Sequence, residues 1–221
     1  MKQEKPRIPV GRPSATPRRR NAAATKEKIL DAATDEFATH GFDGARVDAI
    51  AERARVNKQM LYHYFQSKDG LFTEVLEREY RAIRRSEASL SLESLPANEA
   101  ILRIVDFTWS YYLKNPNFIR LLNSENQKKA RHLKASPNTR SINASHRDLM
   151  AGLISRGQRD GTVRADVDPF HLSINIAALG FFYLINRHTL STVFERDLGD
   201  RRSLQERLAV MRDLIGRWIA P

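Results

Sequence analysis

No cysteine occurs anywhere in the 221 residues. Disulfides, thiolate metal sites and cysteine nucleophiles are therefore excluded, and the absence fits a reducing compartment. Long apolar runs are missing as well. The longest extends from Leu172 to Ile185 and is interrupted by Asn175, whereas a membrane span needs about 20 residues. The amino-terminal stretch is charged and proline-rich, without the apolar centre of a signal peptide. A cytoplasmic protein with no membrane partner is the expectation. Strand-like alternation and internal repeats are wanting, and no His/Glu pair has the H-E-x-x-H spacing of a metal hydrolase. Neither a glycine-rich phosphate loop nor a nucleophile elbow is present. No catalytic residue, metal site or cofactor is assigned.

What stands out instead is charge. Lys and Arg number 37 against 26 Asp and Glu, a formal net charge of +11. Such an excess favours polyanions, nucleic acid first and anionic membrane second. Residues 1–28 hold nine cations against Glu4 and Glu27, so +7 lies there and +4 in the rest. Pro6, Pro9, Pro13 and Pro17 are interspersed with Lys5, Arg7, Arg12 and Arg18-Arg19-Arg20, which predicts a disordered basic arm over residues 1–21. Gly11-Arg12-Pro13 has two readings, a slim arginine lying along a minor groove or a solvated tail.

The rest reads as all-α. From Ala22 to Thr39, apolar residues at 29, 30, 33 and 37 keep helical spacing, and Gly41 is a stop signal. Two short helices follow, at about 47–54 and 58–64, and a longer one runs from Lys68 to about Ala88. Residues 86–96 read as a linker. Further helices are expected at about 97–115, 117–130, 139–157, 168–189 and 203–219, with Pro116 and Pro137 between them and Pro169 in a first turn. Ser203-Leu204-Gln205-Glu206 has the form of a capping box opening the last helix. The expected organisation is a three-helix head over 22–68 and a helical body over 69–221.

The head carries the chemistry. Val47, Ile50, Ala51, Val56, Leu61 and Phe65 can pack inward from two short helices about a tight turn. Lys58, Gln59, Tyr62, His63 and Tyr64 then form a polar strip narrow enough for a DNA major groove, the arrangement of a helix-turn-helix. Asn57 suits the cap of the second helix. Gln59 can pair with adenine, and Lys58 with guanine or phosphate. Met60 is placed for a thymine methyl or for the rim of the core, and His63 for a base or the backbone.

These residues also resemble a known family. Thr25, Ile29-Leu30-Asp31-Ala32-Ala33 through Phe37, Gly41-Phe42, Leu61-Tyr62-His63-Tyr64-Phe65, Lys68 and Leu71-Phe72 are similar to the DNA-binding domain of TetR-type bacterial regulators, in register from Thr25 to about Val75. The resemblance implies that Tyr62, Tyr64 and Lys68 bind phosphates and that Thr25 belongs to the DNA-binding set. It further implies a homodimer on a palindromic double-stranded operator, most simply a repressor, released by a small-molecule effector. Two positions depart from the pattern. Arg46 replaces the usual Thr or Ser before the first short helix, and Arg55 the usual glycine of the turn. The alternatives are a sequence-nonspecific architectural DNA-binding protein and a helical enzyme.

The second half resembles the same family. Leu153-Ile154 through Gly157 and Gly161-Thr162-Val163-Arg164-Ala165-Asp166-Val167-Asp168-Pro169 are similar to its entry into the penultimate long helix. Residues 107–126 and 183–190 resemble the subgroup of the pyrimidine-utilisation regulator, which makes pyrimidines and aromatic acids first effector trials. Two apolar faces, Ile174/Ala177/Ala178/Phe181/Phe182/Ile185 and Leu204/Leu208/Met211/Ile215/Trp218/Ile219, predict a four-helix dimer interface or burial within one subunit. Trp109 and Tyr112 on one helix, opposite His171, Asn175, Phe182 and Asn186, are candidates to line an effector pocket, or an ordinary core.

Overall fold

The computed structural model describes the backbone of residues 17–221 and the side chains from Ala22 onward. Twelve helices follow one another among these residues, without a strand: α1 (Pro17–Gly44), α2 (Val47–Ala54), α3 (Lys58–Phe65), α4 (Lys68–Ala88), α5 (Ala97–Lys114), α6 (Pro116–Gln127), α7 (Arg131–Ala135), α8 (Thr139–Ile142), α9 (Ala144–Arg159), α10 (Pro169–Ile185), α11 (Arg187–Val193) and α12 (Arg201–Ile219). Arg12 and its neighbours lie outside the described residues. The helix begins at Pro17, inside the span expected to be a disordered arm. Proline fits there because a first-turn residue needs no amide hydrogen.

The head core is built by apolar residues at helical spacing. Ile29, Ala33 and Phe37 of α1, Ile50, Ala51 and Ala54 of α2, Leu61 and Phe65 of α3, and Leu71, Phe72, Val75 and Leu76 of α4 form one buried cluster. Each of the larger side chains contributes roughly 1.5–3 kcal/mol through burial. Leu121 of α6 joins the same cluster, so the body reaches into the head. Gly41 makes that contact possible. Its φ of 66° breaks α1, and the next amide, that of Phe42, donates to Ser124 Oγ of α6 at 2.9 Å.

The body core lies between α5, α9, α10 and α12, with Ile101, Val105, Trp109, Leu153, Leu172, Ile176, Met211 and Ile215 at its centre. The long helix α4 links head to body and carries buried charges on its inner face. Glu77 accepts from Ser136 Oγ at 2.6 Å and from Asn138 Nδ2, and pairs with Arg81 at 2.6 Å. Glu87 pairs with Arg84 at 2.8 Å and lies 2.8 Å from His146 Nδ1 of α9.

Several boundaries differ from the sequence expectation. Residues 117–142 hold three helices, of which α7 and α8 are too short to show a period. The expected single helix over 168–189 bends by 69° between α10 and α11, at Asn186. The last helix opens two residues earlier than expected, because Asp200 caps it by accepting from Ser203 N at 2.6 Å. Ser203 is therefore not the cap. It is buried one turn inside, and its hydroxyl accepts from Arg196 Nε.

Candidate nucleic-acid interface and ligand cavity

Asn57 sets the reading helix. Its side chain accepts from Met60 N at 2.6 Å and closes the first turn of α3. Leu61 and Phe65, four residues apart, anchor that helix in the core. Lys58, Gln59, Met60, Tyr62 and His63 are then exposed together, while Tyr64 is half-buried against the head core. Lys58 Nζ rests 2.9 Å from Asp48 Oδ1 of α2 and donates to Oδ2 at 3.2 Å, and this hydrogen bond raises the ammonium pKa. His63 stands edge-on to Tyr64, with ring centroids 5.6 Å apart. Lys68 opens α4, donates to Asp43 O at 3.3 Å and lies 4.9 Å from the centre of the Phe42 ring. Thr25 is half-buried on α1.

The two departures from the family pattern are accommodated differently. Arg46 makes no side-chain cap, and its backbone amide donates instead to the buried Glu36 Oε1 at 3.0 Å. Its guanidinium is left on the exposed side of the head. Arg55 adopts the left-handed conformation normally given to glycine, with φ 56° and ψ 45°. Its amide, bonded to the Glu52 carbonyl, and that of Val56, bonded to Ala51, hold the turn tight.

The five candidate effector residues do not share one cavity, which corrects the sequence expectation. Trp109 is buried and meets Tyr183 edge-on at 5.8 Å. Tyr112 is buried against Phe118, and burial pushes its phenol pKa up to about 12. Asn175 and Phe182 point outward, because Leu172, Ile176 and Gly180 occupy the inward face of α10. Phe182 is 59% exposed. Asn186 sits at the bend, where its side chain donates to the Phe182 carbonyl at 2.9 Å.

Tyr112 instead borders a small cavity of about 50 Å³ between α4, α5, α9 and α10, together with Thr108, Ser173, Ile176, Arg84, Glu87 and His146. Arg84 Nε is buried there without a hydrogen-bond partner. The three charged and imidazole groups escaped sequence reasoning, although positions 77, 84 and 87 fall on the same helical face as Tyr80 and Ile83. Charges placed on a core-facing stripe were the available signal. A separate open cleft of about 870 Å³ runs along another face of α5, past Phe107, Tyr111, Arg103, Lys114 and Arg212.

On the outside of α10 and α12 an apolar groove of about 410 Å³ is formed by Asn175, Ala178, Leu179, Phe182, Arg207, Leu214 and Trp218, with Ile215 at its base. Ile174, Val210 and Leu214 are each nearly half exposed beside it. The apolar face expected on α12 mostly turns inward: Met211, Ile215 and Ile219 are buried, and Leu204 and Leu208 pack on the subunit's own core.

Comparison with known proteins agrees with this arrangement. Residues 29–75 match the family described as bacterial regulatory proteins, tetR family, and residues 98–215 match the tetracyclin repressor-like C-terminal domain. The HTH-type transcriptional repressor NicS of Pseudomonas putida is 36% identical over 197 residues, 89% of this chain and 93% of its own length. The HTH-type transcriptional regulator RutR of Escherichia coli K12 is 46% identical, but over 61 residues, 28% of this chain and 29% of its own. The crystal structure of SCO4942 from Streptomyces coelicolor superposes with a TM-score of 0.69 at 25% identity, covering 89% of this chain and 99% of that one. The chain belongs to the TetR family of bacterial transcriptional regulators, with a DNA-binding head and a helical body of the ligand-binding type.

Proposed function

We propose that the protein is a homodimeric repressor that binds a palindromic DNA operator through α3 and leaves it when a small molecule enters the body. One observation carries the reading: α3 buries Leu61 and Phe65 and exposes Lys58, Gln59, Tyr62 and His63 as one polar edge. A single eight-residue helix spans only a few base pairs, so specificity requires two copies on successive major grooves. The apolar outer groove of α10 and α12 supports pairing through a four-helix interface, with Asn175 and Phe182 in it rather than in an effector site. Control by repression is supported by the likeness to NicS, which is described as a repressor.

The effector reading rests on the inner cavity. Its volume of about 50 Å³ is far below a ligand pocket of about 300 Å³ or more. A metabolite therefore enters only by displacing a wall, and one wall is Ile83, Arg84 and Glu87 of α4, the helix that leads to the head. A small ring bearing a carbonyl or carboxylate would give Arg84 Nε an acceptor and stack near Tyr112. The shift it produces is bounded by its differential affinity for the two arrangements.

Footprinting on the DNA flanking the protein's own gene, with and without pyrimidines and aromatic acids, tests both parts. Protection of an inverted repeat, lost on adding one of these compounds, is the expected result. Gln59→Ala should relax discrimination at one base pair per half-site by roughly 1–3 kcal/mol. Binding that mixed competitor DNA abolishes equally would favour the architectural alternative. Release that survives in Arg84→Ala and His146→Ala, and disappears in Arg103→Ala, would move the effector to the open cleft.

A further inference from the structure

The body loop between α6 and α7 brings more positive charge to the head than its ion pairs consume. Lys128 Nζ and Arg131 Cζ lie 5.9 and 5.5 Å from the centre of the Phe42 ring, and Lys68 Nζ lies 4.9 Å from the same centre. Lys128 is bonded to Asp43, and Arg131 to Asp69. Asp43 is held below the ordinary carboxylate range by the Lys128 hydrogen bond, with Lys68 and Arg131 adding their charge, so all three cations act on one spot. Lys129, between them, is exposed and forms no ion pair or side-chain hydrogen bond among the described residues. Lys68 and the loop thus supply four cations, and the ion pairs of the loop use two carboxylates, Asp43 and Asp69.

The loop is rigid. The buried Glu125 carboxylate accepts from the amides of His132 and Leu133 at 2.8 and 2.9 Å, and its own carbonyl accepts from Ala130 N at 3.0 Å. Lys129 and Ala130 are both held in the left-handed region, at φ 56° and 57°, although neither is glycine. Each costs on the order of 1 kcal/mol or more, and such strain persists only where the surroundings enforce it. Lys129 is left exposed in a loop whose neighbouring cations, Lys128 and Arg131, meet the same Phe42 ring as Lys68.

We propose that Lys129, supported by Lys128 and Arg131, is a second DNA-backbone contact, through which the regulatory body grips phosphate next to the helix-turn-helix. Duplex DNA presents a charge about every 1.7 Å of its axis, so an exposed cation on a loop whose flanking residues share the Phe42 ring with Lys68 has acceptors within reach. The proposal rests on the operator-binding reading, and ties the body directly to DNA: any movement of α6 that releases the head also withdraws this cation.

The test is a fluorescence-anisotropy titration of the full chain against duplex operator DNA between 0.05 and 0.3 M salt, roughly the range over which phosphate contacts dominate. For Lys129→Ala in a dimer, the slope of log K against log salt should fall by about 1.8, two contacts at about 0.9 each, and affinity at low salt by about tenfold or more. Lys129→Glu should weaken binding further, equally on operator and scrambled duplex, while the thermal midpoint stays unchanged. Slopes equal to wild type in both variants would overturn the proposal, as would a lowered midpoint with an unchanged slope, which assigns the loop to the fold alone. A flat slope in the wild type would instead remove the operator reading, and this one with it.

Discussion

His132 Nδ1 lies 2.6 Å from Glu125 Oε2 at the junction of head and body, and both side chains are essentially fully buried. Phe42 and Phe72 close over the imidazole with centroids at 4.5 and 4.8 Å, and Asp69 of α4 reaches its far nitrogen at 3.2 Å. One ring therefore touches α1, α4 and α6 at once. Removing it leaves the buried Glu125 carboxylate with its two amide donors but without its side-chain partner, and a lost buried hydrogen bond of this kind costs about 1–3 kcal/mol. His132→Ala should lose that much in urea unfolding. A loss under about 1 kcal/mol would show that water replaces the ring and that the junction is looser than the geometry implies.

Arg55 offers the opposite case, a residue whose replacement should help. A non-glycine residue at φ 56° is strained by about 1–2 kcal/mol. Glycine removes that strain but adds roughly 0.5–1 kcal/mol of unfolded-chain entropy. The net expectation for Arg55→Gly is a gain of about 0.5–1 kcal/mol, seen as a higher urea midpoint at unchanged m-value. A destabilised variant would mean that the arginine side chain contributes more than its backbone costs.

The head was legible because its signals are local. Apolar positions 47, 50 and 51, then 61 and 65, then 71, 72, 75 and 76 repeat at helical spacing, and Asn57 caps the helix that follows it. Ser67 caps α4 in the same way, without having been singled out. The long helix expected from Lys68 to about Ala88 is α4, which runs on through the first residues of the stretch that reads as a linker. In the body the same logic weakened. Arg187-His188-Thr189-Leu190 follow Asn186 with neither proline nor glycine, so no helix-breaking residue announces the bend. Asp200 and Ser203 both have cap chemistry, and the choice between them depends on which one faces the core. The cavity was hidden for another reason: Glu87 and His146 are 59 residues apart, and only tertiary packing of α4 on α9 unites them.

Glu77 predicts a specific acid sensitivity. Burial pushes its carboxyl upward, but bonds from Ser136, Asn138 and Arg81 outweigh that and hold it below the ordinary carboxylate range. A depressed folded-state value stabilises the protein above the unfolded-state pKa and is lost as pH falls through the folded one. Stability should therefore decline below the usual carboxylate range, and Glu77→Gln should flatten part of that decline while lowering stability at neutral pH. Parallel acid profiles for variant and wild type, by thermal melting at several pH values, would exclude Glu77 as a contributor.

Gly180 provides the sharpest test of the inner cavity's architecture. A Cβ added there would stand 3.1 Å from Tyr112 Cδ2 and 3.4 Å from Cε2, with Met211 Cε at 3.6 Å. The first distance is tighter than an ordinary carbon contact, so Gly180→Ala requires the buried Tyr112 ring, stacked on Phe118, to give by a few tenths of an ångström. Crowding of about 1–3 kcal/mol is set against a gain of roughly 0.5–1 kcal/mol from replacing a mid-helix glycine, and a modest net loss is expected. The loss should disappear when Tyr112→Ala is made first, because the offending ring is gone. The two changes then couple in a double-mutant cycle by about 1 kcal/mol or more. Displacing the ring also alters a wall of the proposed effector cavity, so Gly180→Ala should weaken ligand-driven release without changing DNA affinity in the absence of ligand. Additive stabilities would separate Gly180 from Tyr112, and an unaltered ligand response would take Tyr112 out of the effector site.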